Sequence, residues 1–458
     1  MTDYKKLLEK QRNFFLSGKT LGLEFRKEQL LKLRSEVINK HKDIEASLKK
    51  DIGKSEFEAF ATEVTAIIDD INNAVGNLED WTKPIEVETP PVFGQGESRI
   101  YYDPYGIALI INTWNYPFVL CLKPLIGALA AGNCCVVKPS EVAPNTSKVL
   151  AEIINTCFEE DYCCAIEGGI EEAKELLEER FDFILYTGST RVGKMVAQAA
   201  ARNLTPTVLE LGGKSPCIIT ESADIERSVA TVCWGKCINS GQTCTAPDYV
   251  LVHKGLKEKL IAALKKQITD FYGVNIKENS DFGRIINKRH FDRLTGLMNE
   301  GEIVFGGETD ESQLFISPTI IDGITWESKI MQEEIFGPLL PILTYENIED
   351  VITELKKREK PLALYLYTTD KHEEELIINN LQYGGGCINA TLMHMLNTNL
   401  PFGGAGNSGH GYYQGRWSVE MFSHKKSILK RALSDEPSPM FPPYAGKAAF
   451  LKGIYLGK

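Results

Sequence analysis

No run of the roughly 18 apolar residues needed to cross a bilayer as a helix occurs anywhere in the 458-residue sequence. The first residues, MTDYKKLLEKQRNFF, lack the apolar core and small-residue cleavage site of a secretory signal, so a cytoplasmic location is expected. Histidine is scarce at seven residues, and neither these nor Cys233 and Cys237 make a spaced four-ligand set, so no metal site is predicted. Positive charge is in deficit. The 51 Lys and Arg face 62 Asp and Glu, and a net charge of −11 repels phosphate backbones and anionic lipid, which excludes nucleic acid as an expected partner. Tandem repeats and low-complexity blocks are missing too. The eleven cysteines, an odd total with the adjacent pairs Cys134-Cys135 and Cys163-Cys164, fit buried reduced thiols better than disulfides in a chain this large.

What is present begins with length, enough for about three folding units. From Arg26 to Asp51, apolar residues such as Leu30, Leu33, Val37, Ile44 and Leu48 recur at helical spacing, which predicts a helical amino-terminal region. Between Trp81 and Arg99 the text turns to Pro, Gly, Thr and Val, suiting a hairpin arm or extended excursion. Short β-rich runs then alternate with amphipathic ones: IALII at 107–111, a helix over 118–131, CCVV at 134–137, a helix over 145–157, FDFILY at 181–186 and a helix over 191–202. That order implies parallel strands with crossover helices, whose ligands bind beyond the carboxyl ends of the strands. A second alternation starts near Cys217, with CIIT, a helix opened by Ser222 or Asp224 and running to Ile238, YVLV, EIVFGG and LALYLYT. The stretch from Met421 onward is Pro- and Lys-rich with little periodicity, and is expected to wrap or to pair with another chain.

Several segments carry chemistry. NSGQTCTAPD places Cys244 at a helix-to-strand corner, where backbone N–H groups can expose and activate a thiolate; on spacing alone a buried small hydrophobe is the commoner fate of a cysteine. VLELGGKSP puts Glu210 before a Gly-Gly turn, either a half-buried general base with a raised pKa or a strand-end carboxylate paired with Lys214. NTWNYPF offers Asn112 and Asn115, with Pro117 in the first turn of the next helix; one amide can donate to an oxyanion, and either can instead cap the helix. Asn115 is the better candidate for catalysis and Asn112 for structure. KPSE supplies Lys138 and Glu141, able to hold ribose hydroxyls or simply to form a surface turn. QEEIFGP supplies Glu334 and Phe336, a ribose and ring contact or a core Phe beside a solvated Glu pair.

Two further segments resemble nucleotide loops by letter. Gly188-x-x-x-x-Gly193-Lys194 nearly spells a P-loop, but Met195 stands where Ser or Thr would ligate magnesium, leaving a pyrophosphate cradle at a helix start. Gly404-x-Gly406-x-x-Gly409 matches a dinucleotide fingerprint with no strand before it and no βαβ unit after it, and reads as a Gly-rich closing loop.

Together TWNYPF, KPSE, YTGST, LELGGKSP, GQTCTAP, EEIFGP and PFGGAGNSGHG resemble the aldehyde dehydrogenase superfamily, in its motif order and over almost the whole chain. GQTCTAPDYVLV, the ending PFGGAGNSGHGYYQGRWSVEMFSHKKSIL and PPYAGK are most similar to the class-three branch, which includes fatty and aromatic aldehyde dehydrogenases. The resemblance implies an α/β fold: a Rossmann-like parallel-sheet cofactor domain (1–80 and 101–208), a second α/β catalytic domain (209–420) and a small β-rich oligomerisation arm and tail (81–100 and 421–458). It implies Cys244 as nucleophile, Glu210 as general base and Asn115 as oxyanion donor. Lys138 and Glu141 are implied at the adenosine ribose, Gly188, Ser189 and Gly193 at the pyrophosphate, and Glu334 and Phe336 at the nicotinamide ribose and ring. The implied activity is oxidation of small-molecule aldehydes to carboxylic acids with NAD, or NADP, through a thiohemiacetal and thioester on Cys244; the alternative is a coenzyme-A-acylating relative, against which Glu210 argues. A homodimer is implied. The final AAFLKGIYLGK is too short to span a membrane, leaving at most weak interfacial adhesion through Phe450, Leu451, Ile454 and Tyr455.

Overall fold

The computed structural model describes residues 3–90, 93, 95–432 and 441–457. Two compact units emerge, residues 1–82 with 103–424, and residues 83–102 with 425–458.

Among the described residues the larger unit holds two large sheets and a two-stranded one, Thr309–Asp310 with Phe315–Ile316. In the first the strand order is Gly409–His410, Thr207–Leu211, Phe183–Gly188, Ile107–Ile111, Cys134–Lys138, Cys163–Ala165. All neighbours are parallel except the two-residue Gly409–His410 strand. In chain order the five parallel strands run 3-2-1-4-5, so the order reverses between Ile107–Ile111 and Phe183–Gly188, and the crevice beyond their carboxyl ends is the place for a ligand. Strands Ile107–Ile111 and Cys134–Lys138 are buried along their whole length, which is why they are apolar up to Lys138 at the end of the second. The expected α/β class with a parallel sheet is what the molecule has.

The second sheet has seven strands, ordered Glu302–Phe305, Thr319–Asp322, Leu339–Tyr345, Tyr249–His253, Pro216–Ile219, Ala363–Tyr367, Gly385–Ile388, with only Glu302–Phe305 antiparallel. Asp224, not Ser222, caps the helix Ile225–Cys237 by accepting from the Arg227 N–H at 3.3 Å. Ser222 bonds Thr368 and Glu373 instead.

The amino-terminal region is helical as expected, with 26–51 divided between the helices Leu23–Asn39 and His41–Ile52 where Lys40 leaves helical geometry and His41 Nδ1 closes on the Ile38 carbonyl at 2.8 Å. Other readings need correction. Pro117 lies before the helix Val119–Ala131 rather than in its first turn. Neither Asn112 nor Asn115 caps that helix. The cap is Glu63, whose carboxylate accepts from the Phe118 and Val119 N–H groups at 3.1 and 2.9 Å, while Asn112 donates to the Pro117 carbonyl.

In the smaller unit, Ile85–Val87 pairs antiparallel with Gly96–Pro104, and Ser423–Arg431 completes a three-stranded sheet. The tail is therefore more regular than its composition suggests, with that strand and the helix Lys447–Leu456. Parts of the arm and tail readings, at 91, 92, 94, 433–440 and 458, lie outside the described residues. Among the described residues no helix is long and apolar enough to cross a membrane, and no group of three or more His, Cys, Asp or Glu stands ready to hold a metal ion. All eleven cysteines are free thiols; nine are buried, and Cys244 and Cys387 are half-buried.

Candidate active site

A cavity of about 1080 Å³ opens at the switch point of the first sheet. Asn115, Glu210 and Cys244 line it together, with Gly188, Ser189, Glu334 and Phe336. Lys138, Glu141 and Gly193 are not among its lining residues.

Each side chain arrives by a different route. Asn115 follows the end of strand Ile107–Ile111, and Glu210 sits in strand Thr207–Leu211, in register with Thr187 on one side and Gly409 on the other. Gly409 has φ +126°, and a Cβ there would collide with the Leu209 carbonyl oxygen, so only glycine lets the closing loop lie against the Glu210 strand. Cys244 follows an unusual segment: Asn239, Ser240 and Gly241 all have left-handed φ (51°, 53° and 73°) immediately after the helix Ile225–Cys237. Holding non-glycine residues there costs on the order of 1–3 kcal/mol each, so other contacts must fix them.

They do. The Asn239 N–H donates to Glu58 Oε1 at 3.0 Å, and its side-chain amide donates to the Asn115 and Gln242 carbonyls at 2.9 and 3.1 Å. Gln242 Nε2 donates to the Asn239 and Arg284 carbonyls at 3.1 and 2.9 Å, and its Oε1 accepts from the Ile286 N–H at 2.9 Å. Asn115 Nδ2 donates to the Gln242 carbonyl at 3.0 Å, which uses one of its two amide protons and leaves the other for a ligand oxygen. These supports were missed from the sequence, although polar residues crowded beside a cysteine at a buried corner are the signal that could have found them.

The electrostatics favour proton exchange. Glu210 is 1% exposed, and burial pushes its carboxyl up to about 8, moderated by a hydrogen bond from the Cys244 thiol. One Glu210 oxygen, Oε1, has no partner. Burial raises the Cys244 thiol well above its ordinary value, and the Glu210 and Glu334 carboxylates add to the rise. Glu210 does not pair with Lys214, the bland alternative; Lys214 pairs with Asp248.

The remaining candidates divide. Glu334 is half-buried, accepts from the Gly213 N–H, and keeps Oε1 unpartnered; burial pushes its carboxyl well up, and the neighbouring Asp248 and Glu210 charges add to this. A Cβ at Gly212 would strike that carboxylate, so the Gly-Gly turn exists to admit it. Phe336 has φ +51° and meets the Trp114 ring edge-on at 5.3 Å, with His290 on the same Trp114 at 5.2 Å. Ser189 caps the helix Thr190–Ala201, whose free amino-terminal N–H groups face the crevice just after Gly188. Gly193 instead lies against Leu211, where a Cβ would come within 2.6 Å of that side chain, so its small size serves helix-on-sheet packing. The Lys138 ammonium is 2% exposed and spends its protons on the Pro139 and Gly168 carbonyls at 2.8 and 2.6 Å and on Glu141 at 3.4 Å.

These residues fit a dinucleotide. Four buried atoms in the cavity wall, Glu210 Oε1, Glu334 Oε1, Asn115 Oδ1 and Thr187 Oγ1, await hydrogen-bond partners, and the volume is at the upper end of ordinary ligand sites.

A profile described as "Aldehyde dehydrogenase family" matches residues 2–428. The 4,4'-diaponeurosporen-aldehyde dehydrogenase of Staphylococcus aureus is 47% identical over 444 residues, covering 96% of this chain and 97% of that one. The "Aldehyde dehydrogenase, dimeric NADP-preferring" of Canis lupus familiaris is 42% identical over 449 residues, covering 98% and 99%. A solved structure, the substrate-bound state of Staphylococcus aureus AldH, superposes with a TM-score of 0.96 at 46% identity, covering 99% of this chain and 100% of that one.

Proposed function

The chain belongs to the aldehyde dehydrogenase family and is an oxidoreductase acting on aldehydes, and from that premise we propose a covalent route through Cys244, with NAD as the favoured acceptor and NADP also accepted. The observation that carries this reading is the convergence of Cys244, Glu210 and Asn115 on one cavity, with the thiol already hydrogen-bonded to the carboxylate.

In the resting site the Cys244 thiol interacts with the Glu210 carboxylate. The ionised Glu210 carboxylate, made more basic by burial, takes the thiol proton, and the thiolate so formed attacks the aldehyde carbon. The C–S bond forms and the carbonyl π electrons move to oxygen, which then accepts from the free Asn115 Nδ2–H and the Cys244 N–H. What a nicotinamide dinucleotide supplies when bound is an acceptor for a hydride, whose departure turns the tetrahedral carbon into a thioester. Gly188 and Ser189 at the helix start would hold its diphosphate, Glu334 its ribose hydroxyls and Phe336 its ring. Once Glu210 has passed its proton to solvent it takes another from water; hydroxide adds to the thioester, the C–S bond breaks, and the acid leaves as the thiol is reprotonated. A buried base beside the sulfur supports hydrolysis over transfer to coenzyme A.

In the same proposal Lys138 and Glu141 lie at the adenosine ribose, outside the lining of this cavity, and Gly193 seats the diphosphate-binding helix against the sheet, with residues 1–80 and 101–208 as the cofactor domain and 209–420 as the catalytic domain. The canine relative's name, dimeric and NADP-preferring, supports the use of NADP and a dimer, and the exposed Ile85, Val87, Ile428 and Leu429 in the strands of the smaller unit support the homodimer. A cytoplasmic location is part of the same proposal. Cys244→Ser tests the chemistry. Aldehyde-dependent NADH formation should fall by about a thousandfold or more, and retention of wild-type turnover would exclude this route.

A further inference from the structure

One group of charged side chains, Lys214 and Arg293 in the cavity wall and Asp248 behind it, has no part in the bond-making just described. Lys214 Nζ donates to Asp248 Oδ2, to the Ile330 carbonyl at 2.8 Å and to the Glu333 carbonyl at 3.0 Å. That accounts for all three ammonium protons. The other oxygen of Asp248 accepts from the Ile335 N–H at 2.9 Å, and Asp248 is held from behind by its own N–H on the Ser215 carbonyl at 2.8 Å. From the helix Lys288–Leu297, the Arg293 guanidinium donates to the Glu334 carbonyl at 3.3 Å and the Ile335 carbonyl at 2.5 Å. Four carbonyls and one N–H of a six-residue stretch are thus bound by two cations and one carboxylate, largely buried: the Lys214 and Asp248 side chains are 18% and 4% exposed. Bonds of this charge-assisted kind are about twice as strong as neutral ones.

The stretch they grip carries Glu334 and leads into Phe336, whose backbone sits at φ +51°. A half-buried carboxylate and a phenylalanine in a left-handed conformation do not stay in place unaided. We infer that Lys214, Asp248 and Arg293 form an ionic clamp whose task is to position Glu334 and Phe336, so that Lys214 is a positioning residue for cofactor binding and hydride transfer and not for the covalent chemistry at Cys244. This rests on the function proposed above. The stretch before Cys244 is held by its own bonds, through Asn239, Gln242 and Glu58, and Asp248, four residues after Cys244, is the point where it meets the clamp, so the test removes Lys214 and leaves Asp248 in place.

The experiment compares wild type, Lys214→Met, Lys214→Arg and Cys244→Ser in three measurements: the Kd for NADH by fluorescence titration, the single-turnover rate of NADH formation with protiated and C1-deuterated aldehyde, and hydrolysis of p-nitrophenyl acetate, which acylates the thiol without any hydride step. Lys214→Met is expected to weaken NADH binding and slow single-turnover NADH formation by about tenfold or more. A larger deuterium isotope effect should accompany the slowing, with ester hydrolysis staying within about threefold of wild type. Lys214→Arg, which keeps the charge, should recover part of the NADH affinity. Equal losses in ester hydrolysis and NADH formation, or wild-type NADH binding and transfer in Lys214→Met, would overturn the clamp. If Lys214→Met does not fold, Arg293→Met, which removes two carbonyl contacts only, is read by the same criteria. Aldehyde oxidation surviving in Cys244→Ser would instead defeat the underlying function, whereas a dead Cys244→Ser beside a Lys214→Met that transfers hydride normally would defeat the clamp alone.

Discussion

Two loops in the wall of the same cavity are held by opposite means. The segment leading to Cys244 is fixed by neutral amides and one carboxylate, with Asn115, Asn239 and Gln242 exchanging bonds with one another's backbone and with Arg284 and Ile286, and Glu58 accepting from the Asn239 N–H. The segment carrying Glu334 and Phe336 is fixed by ions, through Lys214, Asp248 and Arg293. The difference has a chemical reason. A cation anchored beside Cys244 would hold it permanently as a thiolate, reactive toward any oxidant. The amide lattice fixes the sulfur's position without stabilising its charge, and burial with the Glu210 and Glu334 carboxylates keeps it a thiol until Glu210 takes the proton. The other loop carries no nucleophile, so cations can hold it without that penalty.

The comparison breaks first at Asn115, which belongs to the lattice and also offers a free amide proton. Asn115→Ala should lower turnover by about 100- to 1000-fold, the usual loss of an oxyanion donor, with cofactor affinity little changed. A comparable loss in NADH binding would show that the two loops are not separately supported. A step down in size is Gln242→Leu, which leaves the buried Ile286 N–H and Arg284 carbonyl unpaired at a cost of about 2–5 kcal/mol. Chemical denaturation checks this, and an unchanged midpoint would mean that the lattice is not what holds the left-handed segment.

The smallest expected effect is in pH. Only ionised Glu210 can take a proton from water, so acid release should rise up to tenfold per pH unit and level off above about 8, and Glu210→Gln should abolish that inflection. Stability runs the other way. Because the folded carboxyl titrates above its ordinary value of 4.5, the folded state binds more protons between that pH and about 8, and stability from this group is present below the window and lost as pH rises through it. The Gln variant should lose that slope, as melting curves across the range would register.

Much of this was legible in the sequence where burial or backbone geometry leaves few choices. Ile107–Ile111 and the first four residues of Cys134–Lys138 are apolar because both faces of a parallel sheet are covered, and the motifs at Asn115, Glu210 and Cys244 lie at or near strand and helix ends that converge on one cavity. What stayed hidden depends on contacts between distant residues. Lys214 finds Asp248 across 34 positions, and Glu63 caps a helix that starts 56 residues later. Leu339–Tyr345 escaped notice because Pro341 argues against a strand in the middle of a sheet, and Gly385–Ile388 because its two glycines weaken strand propensity. Gly193 illustrates a third kind of limit, since phosphate contact and tight helix packing both demand the same residue.

The most direct test of covalent catalysis at Cys244 is intact-protein and peptide mass spectrometry of Glu210→Gln, quenched after mixing with aldehyde and NAD. With thioester hydrolysis slowed, about one equivalent of NADH should form per active site, accompanied by an acyl adduct on the peptide carrying Cys244. Continued NADH formation with no adduct there, or with the adduct on another cysteine, would contradict the account.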